Sequence, residues 1–169
     1  MDSGLGHLKS ALELAVERLS NEQIQWHPPG KWSVAEILEH LYLTYTGTTK
    51  GFERLIAAGK PLATHVSMKH RLRTLVVIGF SHMPEGRKAP PQAQPRGLSA
   101  EIVRNEIGRK LQEMDAMIAQ AESRFGSGTR VLDHPILGPL SAPHWRKFHA
   151  VHGWHHHKQI LRRCEQMRE

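Results

Sequence analysis

Six of the chain's 13 histidines, His144, His149, His152, His155, His156 and His157, fall within fourteen consecutive residues. Imidazole is a common ligand for transition metals and the side chain that most readily exchanges protons near neutral pH, so a cluster this dense points to one of those two chemistries. If the segment is helical, Trp145, Phe148, His156 and Gln159 all fall within about 40° of His152 around the helix axis. His152 and His156 then stand one turn apart on a stripe that Trp145 and Phe148 mark as buried, which is how a helix offers two imidazoles to one cation. His149 and His155 lie about 60° to either side of His152, and His157, at about 140°, is predicted to face solvent. Burying two imidazoles without a shared partner would strand polar nitrogens in an apolar core, so the pair argues for a metal.

A two-histidine site needs a further ligand. The single cysteine, Cys164, cannot form an intramolecular disulfide or build a thiolate site, so nitrogen and oxygen ligands are expected. It falls about 120° from His152 and two turns beyond His156, which makes packing its role. The segment after Trp32 offers His40, on the border of an apolar face beside Glu36 and Thr44. A ligand at a solvent-accessible cleft fits that border, and so does an ordinary exposed histidine. Glu36, one turn before His40, also has two readings, a catalytic base or ligand partner and the third residue of a helix-capping box with Ser33. His134 and His144 read as solvated histidines or as lining of the site's mouth.

These residues need helices to hold them. Leu5, Leu8, Leu12, Ala15, Val16 and Leu19 recur at helical spacing before the break at His27-Pro28-Pro29-Gly30. Ser33 caps a second helix that ends near Gly59-Lys60-Pro61, and a short helix is predicted over 68–80. From Met83 to Gly97, with Pro84, Pro90, Pro91 and Pro95, a long irregular loop is expected. Ser99 caps a third long helix to about Ser123. A linker through Pro135-Ile136-Leu137-Gly138-Pro139 leads to Ser141, which caps the histidine-bearing helix, with Pro143 in its first turn. Four long helices without a hairpin or βαβ pattern predict one all-α domain over 1–169, an up-down-type four-helix bundle. Tyr42 and Tyr45 read as core or rim aromatics, Met114 and Met117 as core filler, and Trp26 as packing over one end.

The net charge of +7 could suit nucleic acid, acidic lipid or an anionic substrate. The cations are spread out, with no dense stripe interleaved with aromatics, so nucleic-acid binding is not expected. Arg71, Arg73, Arg87 and Lys88 read as a solvated basic face or as contacts for an anionic cofactor. The longest apolar run, Leu75 to Phe80, is far too short to span a bilayer, and Met1-Asp2-Ser3-Gly4 opens no signal peptide. A cytoplasmic protein with no membrane partner is expected.

Two segments, Trp32-Ser33-Val34-Ala35-Glu36-Ile37-Leu38-Glu39-His40-Leu41 and His152-Gly153-Trp154-His155-His156-His157-Lys158-Gln159-Ile160, together resemble the DinB/YfiT superfamily of metal-binding four-helix bundles. The run His134-Pro135-Ile136-Leu137-Gly138-Pro139-Leu140-Ser141 resembles a branch in which a His-Pro-x-x-Gly-x-Leu segment precedes the His-rich helix. The resemblance implies a divalent metal, zinc or nickel above all, held by His40, His152 and His156. Where the superfamily commonly reads His-His-Arg-Gly-Gln, this chain has His155-His156-His157-Lys158-Gln159, which keeps the ligands and loses the arginine. Three histidines leave an open metal position, the mark of a catalytic site. The resemblance further implies a homodimer and an enzyme that transfers a low-molecular-weight thiol to a small-molecule substrate. A metal-dependent hydrolase and a non-catalytic metal-binding bundle are the alternatives.

Overall fold

The computed structural model describes residues 1–83 and 88–167. Pro84 and Arg87 of the proline-rich loop therefore lie outside the described residues. Helix α1 runs over Ser3–Val16, capped by the Asp2 carboxylate, which accepts from the Gly4 and Leu5 N–H groups at 2.9 and 3.2 Å. Its buried face is Leu5, Leu8, Leu12 and Val16. The chain then rewinds as a short helix, α2 (Asn21–Gln25), started by a capping box between Ser20 and Gln23. This helix was not foreseen, because its one buried residue, Ile24, leaves no periodicity to read.

Helix α3 (Val34–Ala58) begins at the expected capping box: the Glu36 N–H donates to Ser33 Oγ at 3.1 Å and the Ser33 N–H donates to the Glu36 carboxylate at 2.7 Å. It stops where Gly59 turns left-handed at φ 67°. Helix α4 (Met68–Thr74) continues into a π-helical turn over Leu75–Gly79, so the segment predicted as one short helix is helical throughout with a change of pitch. The proline-rich loop carries a 3-10 turn at Pro91–Ala93. Helix α5 (Ala100–Phe125) follows, then strands β1 (Arg130–His134) and β2 (Gly138–Ser141), then helix α6 (Ala142–Gln166).

The strands correct the predicted linker. They pair antiparallel, with Leu132 opposite Leu140, Asp133 opposite Pro139 and His134 opposite Gly138. Pro139 stands inside β2 opposite Asp133. A two-stranded sheet is all edge, however, and an edge position tolerates a residue with no N–H to donate. Val131, Leu137 and Leu140 bury the hairpin against the helices. At its turn Gly138 has φ 72° and lies under the His70 ring, where an added Cβ would stand 2.3 Å from Nδ1. This packs α4 onto the hairpin.

The four long helices share one apolar core: α3 packs on α5 and α6, and α1 on the same two. Buried Asp115 of α5 joins three elements, accepting from the Asp2 N–H at 2.8 Å and from Arg146 Nε of α6 at 2.7 Å. Among the described residues no helix is long and apolar enough to cross a membrane. Tyr45 is fully buried, Tyr42 half-buried under the Lys110 ammonium, and Trp26 39% exposed.

Helices α1 and α6 meet at Gly153, where an added Cβ would lie 2.2 Å from Leu8 Cδ2. Leu8 is fully buried and cannot swing away. Gly153→Ala is therefore expected to lower stability by about 1–3 kcal/mol through overpacking, despite the roughly 1 kcal/mol that alanine gains over glycine in a helix interior. Denaturant unfolding measures this, and an unchanged or higher midpoint would mean that the helices separate without cost.

Candidate metal centre

His40 sits in the second turn of α3, and His152 and His156 are one turn apart on α6. All three side chains are buried, and one ligand atom from each lies within 4.8 Å of the others. The convergence runs through Nε2: His152 Nε2 stands 3.1 Å from His40 Nε2 and 3.1 Å from His156 Nε2. His40 Nδ1 is 2.7 Å from the Ala93 carbonyl, which can only accept, so this nitrogen carries the proton and Nε2 keeps a lone pair. His156 Nδ1 donates in the same way to Gln159 Oε1 at 2.9 Å. Two lone pairs thus point at a third imidazole nitrogen that holds at most one proton. At least one Nε2 lone pair lacks a partner unless a cation takes it.

Neutral imidazoles are what the surroundings enforce. Burial pushes His156 down to about 3 and lowers His40 and His152 as well, with neighbouring histidines adding to the effect at all three. The His152 ring is set by stacking on Phe148, with centroids 5.3 Å apart and planes 14° apart. Its Nδ1 is buried with no hydrogen-bond partner. A neutral, buried, all-nitrogen donor set with two rings oriented by hydrogen bonds on the far nitrogen is suited to a borderline divalent cation.

The support for His40 comes from its neighbour. Buried Glu39 accepts from the N–H groups of Arg96, Gly97 and Leu98 at 2.7, 3.1 and 3.1 Å, pinning the end of the proline-rich loop to α3. That anchor holds the Ala93 carbonyl against His40. Neither Glu39 nor Ala93 stood out in the sequence, since a backbone carbonyl has no residue signature and Glu39 looks like any other helix glutamate. Hydrogen bonds to a charged group contribute roughly 1.5–3 kcal/mol each, so Glu39→Ala is expected to cost about 3 kcal/mol or more. It should also speed hydrogen exchange at the amides of residues 96–98. Unchanged exchange there would show that the loop is held by something else.

A cavity of about 1150 Å³ opens onto the three histidines. Trp32, Phe148 and Ile136 supply apolar wall, and exposed Lys31, Lys50, Arg54 and Lys88 also line it. Of the basic residues considered for an anionic cofactor, Lys88 reaches the cavity, Arg71 and Arg73 do not line it, and Arg87 lies outside the described residues.

The remaining candidates sort clearly. The Glu36 carboxylate is engaged at the Ser33 N–H, and Glu36 does not line the cavity. His155 lines it, half-buried, and its Nε2 meets the Gln159 amide nitrogen at 3.1 Å. His144 is exposed and Cys164 half-buried against the core. Three placements differ from expectation. His134 lines the cavity, one of its two readings, but is buried rather than solvated, its Nδ1 accepting from the Ile136 and Leu137 N–H groups at 3.1 Å, because the hairpin turn folds over it. His149, placed at the edge of the helix stripe, is fully enclosed between Tyr45, Trp145 and Phe148. His157 is partly covered through its contact with the Ala11 backbone of α1. A helix wheel counts one helix's face, and here three neighbours cover α6.

A family model described as "Protein of unknown function (DUF1569)" matches residues 6–163. No curated protein and no solved structure matches the chain.

Proposed function

The chain belongs to the DUF1569 family, and from its site we propose that it is a divalent-metal-dependent enzyme, with His40, His152 and His156 as ligands and a low-molecular-weight thiol as co-substrate. The observation that carries the metal reading is the spacing of the three Nε2 atoms, 3.1 Å for each of the two pairs centred on His152. Nitrogens on a tetrahedral zinc, at roughly 2.0–2.1 Å from the metal, stand about 3.3 Å apart. Zinc and nickel both accept imidazole, and zinc's tetrahedral preference suits three ligands with one position left over. In this reading the four long helices form the up-down-type bundle of the DinB/YfiT kind, and the open position faces the cavity.

A metal there would lower the pKa of a bound thiol or water enough to supply a nucleophile near neutral pH. The protein's own residues do the rest. Trp32, Phe148 and Ile136 exclude water from one side of the nucleophile, and the lining cations, which outnumber the lining carboxylates of Glu53 and Asp133, favour a substrate or thiol carrying negative charge. The thiol sulfur forms a bond to an electrophilic carbon, the leaving group departs with its electron pair, and the thiol proton passes to solvent. The thiol is favoured over water by analogy, because the DinB/YfiT superfamily that the two His-bearing segments resemble includes thiol-using enzymes.

The test mixes metal-loaded protein with a panel of low-molecular-weight thiols and an electrophilic probe. A conjugation rate that depends on metal and is lost in His152→Ala supports the transferase. Metal-dependent cleavage of an ester probe without any thiol would replace it with a hydrolase, and saturable metal with no rate increase for either probe would leave a non-catalytic bundle.

A further inference from the structure

Helix α4 and the π-helical turn after it form a continuous helical segment over 68–79 that lies on the outside of the molecule, and no residue of α4 is buried. Val77 and Ile78 at its end turn into the core, but the apolar side chains before them point outward. Met68, Leu72 and Leu75 are 78%, 65% and 53% exposed, and Phe80 just beyond is 72% exposed. At helical spacing the first three fall within about 60° of one another, and His70 lies on the opposite side. That is the side on which His70 meets Gly138 of the hairpin. The inward face is therefore accounted for, and the outward stripe is apolar. Lys69 and Arg71 flank the stripe on its two sides, at about 100° and −60° from Met68.

The charge around the stripe has one sign. Between Glu53 and Glu85 the sequence holds Arg54, Lys60, Lys69, Arg71 and Arg73 and no acidic residue. The neighbouring acid on the hairpin, Asp133, accepts from the Thr64 N–H and hydroxyl at 3.0 and 2.6 Å. Arg73 and Thr74 tie the segment down, donating to the Ile136 and Leu137 carbonyls at 3.2 and 3.3 Å. A firmly seated helix with an outward apolar stripe between cations has the pattern of helices that lie in the interface of a bilayer, where the stripe enters the acyl boundary and Lys and Arg extend to the headgroups. A second copy of the chain fits less well, since a two-fold contact across this stripe would set Lys69 and Arg71 against themselves.

We propose that the outward face of residues 68–80 docks the protein on an anionic lipid surface. This departs from the expectation of no membrane partner, which rested on the absence of a spanning segment, and it is independent of the metal reading.

The test is co-sedimentation of the full-length protein with vesicles of phosphatidylcholine alone or of phosphatidylcholine and phosphatidylglycerol in equal parts. Binding is expected to the mixed vesicles and not to phosphatidylcholine alone, weakening as salt rises. Each basic residue at such a surface is worth roughly fivefold in partitioning, so K69E/R71E should reduce binding by roughly 25-fold or more. L72S/F80S should reduce it comparably, and both variants should keep the wild-type melting temperature because the altered side chains are exposed. No binding to the mixed vesicles, or binding unchanged in both variants, would overturn the proposal. So would a concentration-dependent dimer in light scattering that L72S/F80S dissolves while vesicle binding is absent, which would assign the face to a second copy.

Discussion

Replacing His40, His152 or His156 with alanine is expected to abolish stoichiometric divalent metal in the purified protein. Each removes one of three ligand atoms lying within 4.8 Å of one another, and the two that remain no longer enclose an ion. The ion would join α3 to α6, and His40 lies 112 residues from His152 in sequence, so the three-ligand site forms only in the folded chain. At a thousandfold excess over the dissociation constant, binding stabilises the fold by about 4 kcal/mol. For a chain of this size that corresponds to a rise of roughly 8–16 °C in melting temperature on metal addition. Wild type should show the rise, and the three variants should melt alike with or without metal. His144→Ala is the control, because His144 is exposed and does not line the cavity, whereas His157 is partly covered by α1 and its removal would also disturb that contact. Elemental analysis and paired melting curves decide the matter, and metal retained in both His152→Ala and His156→Ala would reduce the cluster to a histidine-rich surface.

Acid is expected to destabilise the protein through its buried histidines. Burial pushes His134 down to about 4 and His149 down to about 3 in the folded chain, against an ordinary value near 6.5 when unfolded. Between those limits the unfolded state binds protons that the folded state refuses, so stability is full above about pH 6.5 and falls as pH drops toward 4. From pH 7 to pH 5 these two residues alone account for about 4 kcal/mol. In metal-free protein His156, also near 3, and the lowered His40 and His152 steepen the loss. His149→Phe separates this origin from general charge repulsion. Both ring nitrogens of His149 are buried without partners, so phenylalanine should leave stability at neutral pH unchanged or higher and remove about half of the pH 7 to 5 loss assigned to the pair. Urea midpoints measured across that range would show it, and identical pH profiles for variant and wild type would exclude His149 as a source.

Much of this molecule was legible before folding, and the reasons are local. The α3 start follows from Ser33 and Glu36 alone, because a capping box closes within one turn. The end of that helix follows from Gly59, and the apolar stripes of α1, α3 and α5 follow from a period of 3.6. The facing of His152 and His156 is likewise a property of one helix. Their partnership with His40 could be expected from the sequence only through a resemblance, since nothing in the α3 segment by itself separates a ligand from an exposed histidine.

What tertiary structure decided is everything that depends on a second element arriving. The hairpin was hidden because its strands are four and five residues long and show no hairpin pattern, and only the finished pairing shows a two-stranded ribbon in which Pro139 is harmless. His149 was placed at an edge, and the aromatic rings of Tyr45, Trp145 and Phe148 close over it. Glu39 gained its role from the three N–H groups of a loop that returns some 57–59 residues later. The sequence by itself determined where the four long helices form and the centre of the face each turns inward, because those rest on contacts within a few residues. Which nitrogens end up 3.1 Å apart depends on how α3 and α6 pack, and that is set by the whole core at once.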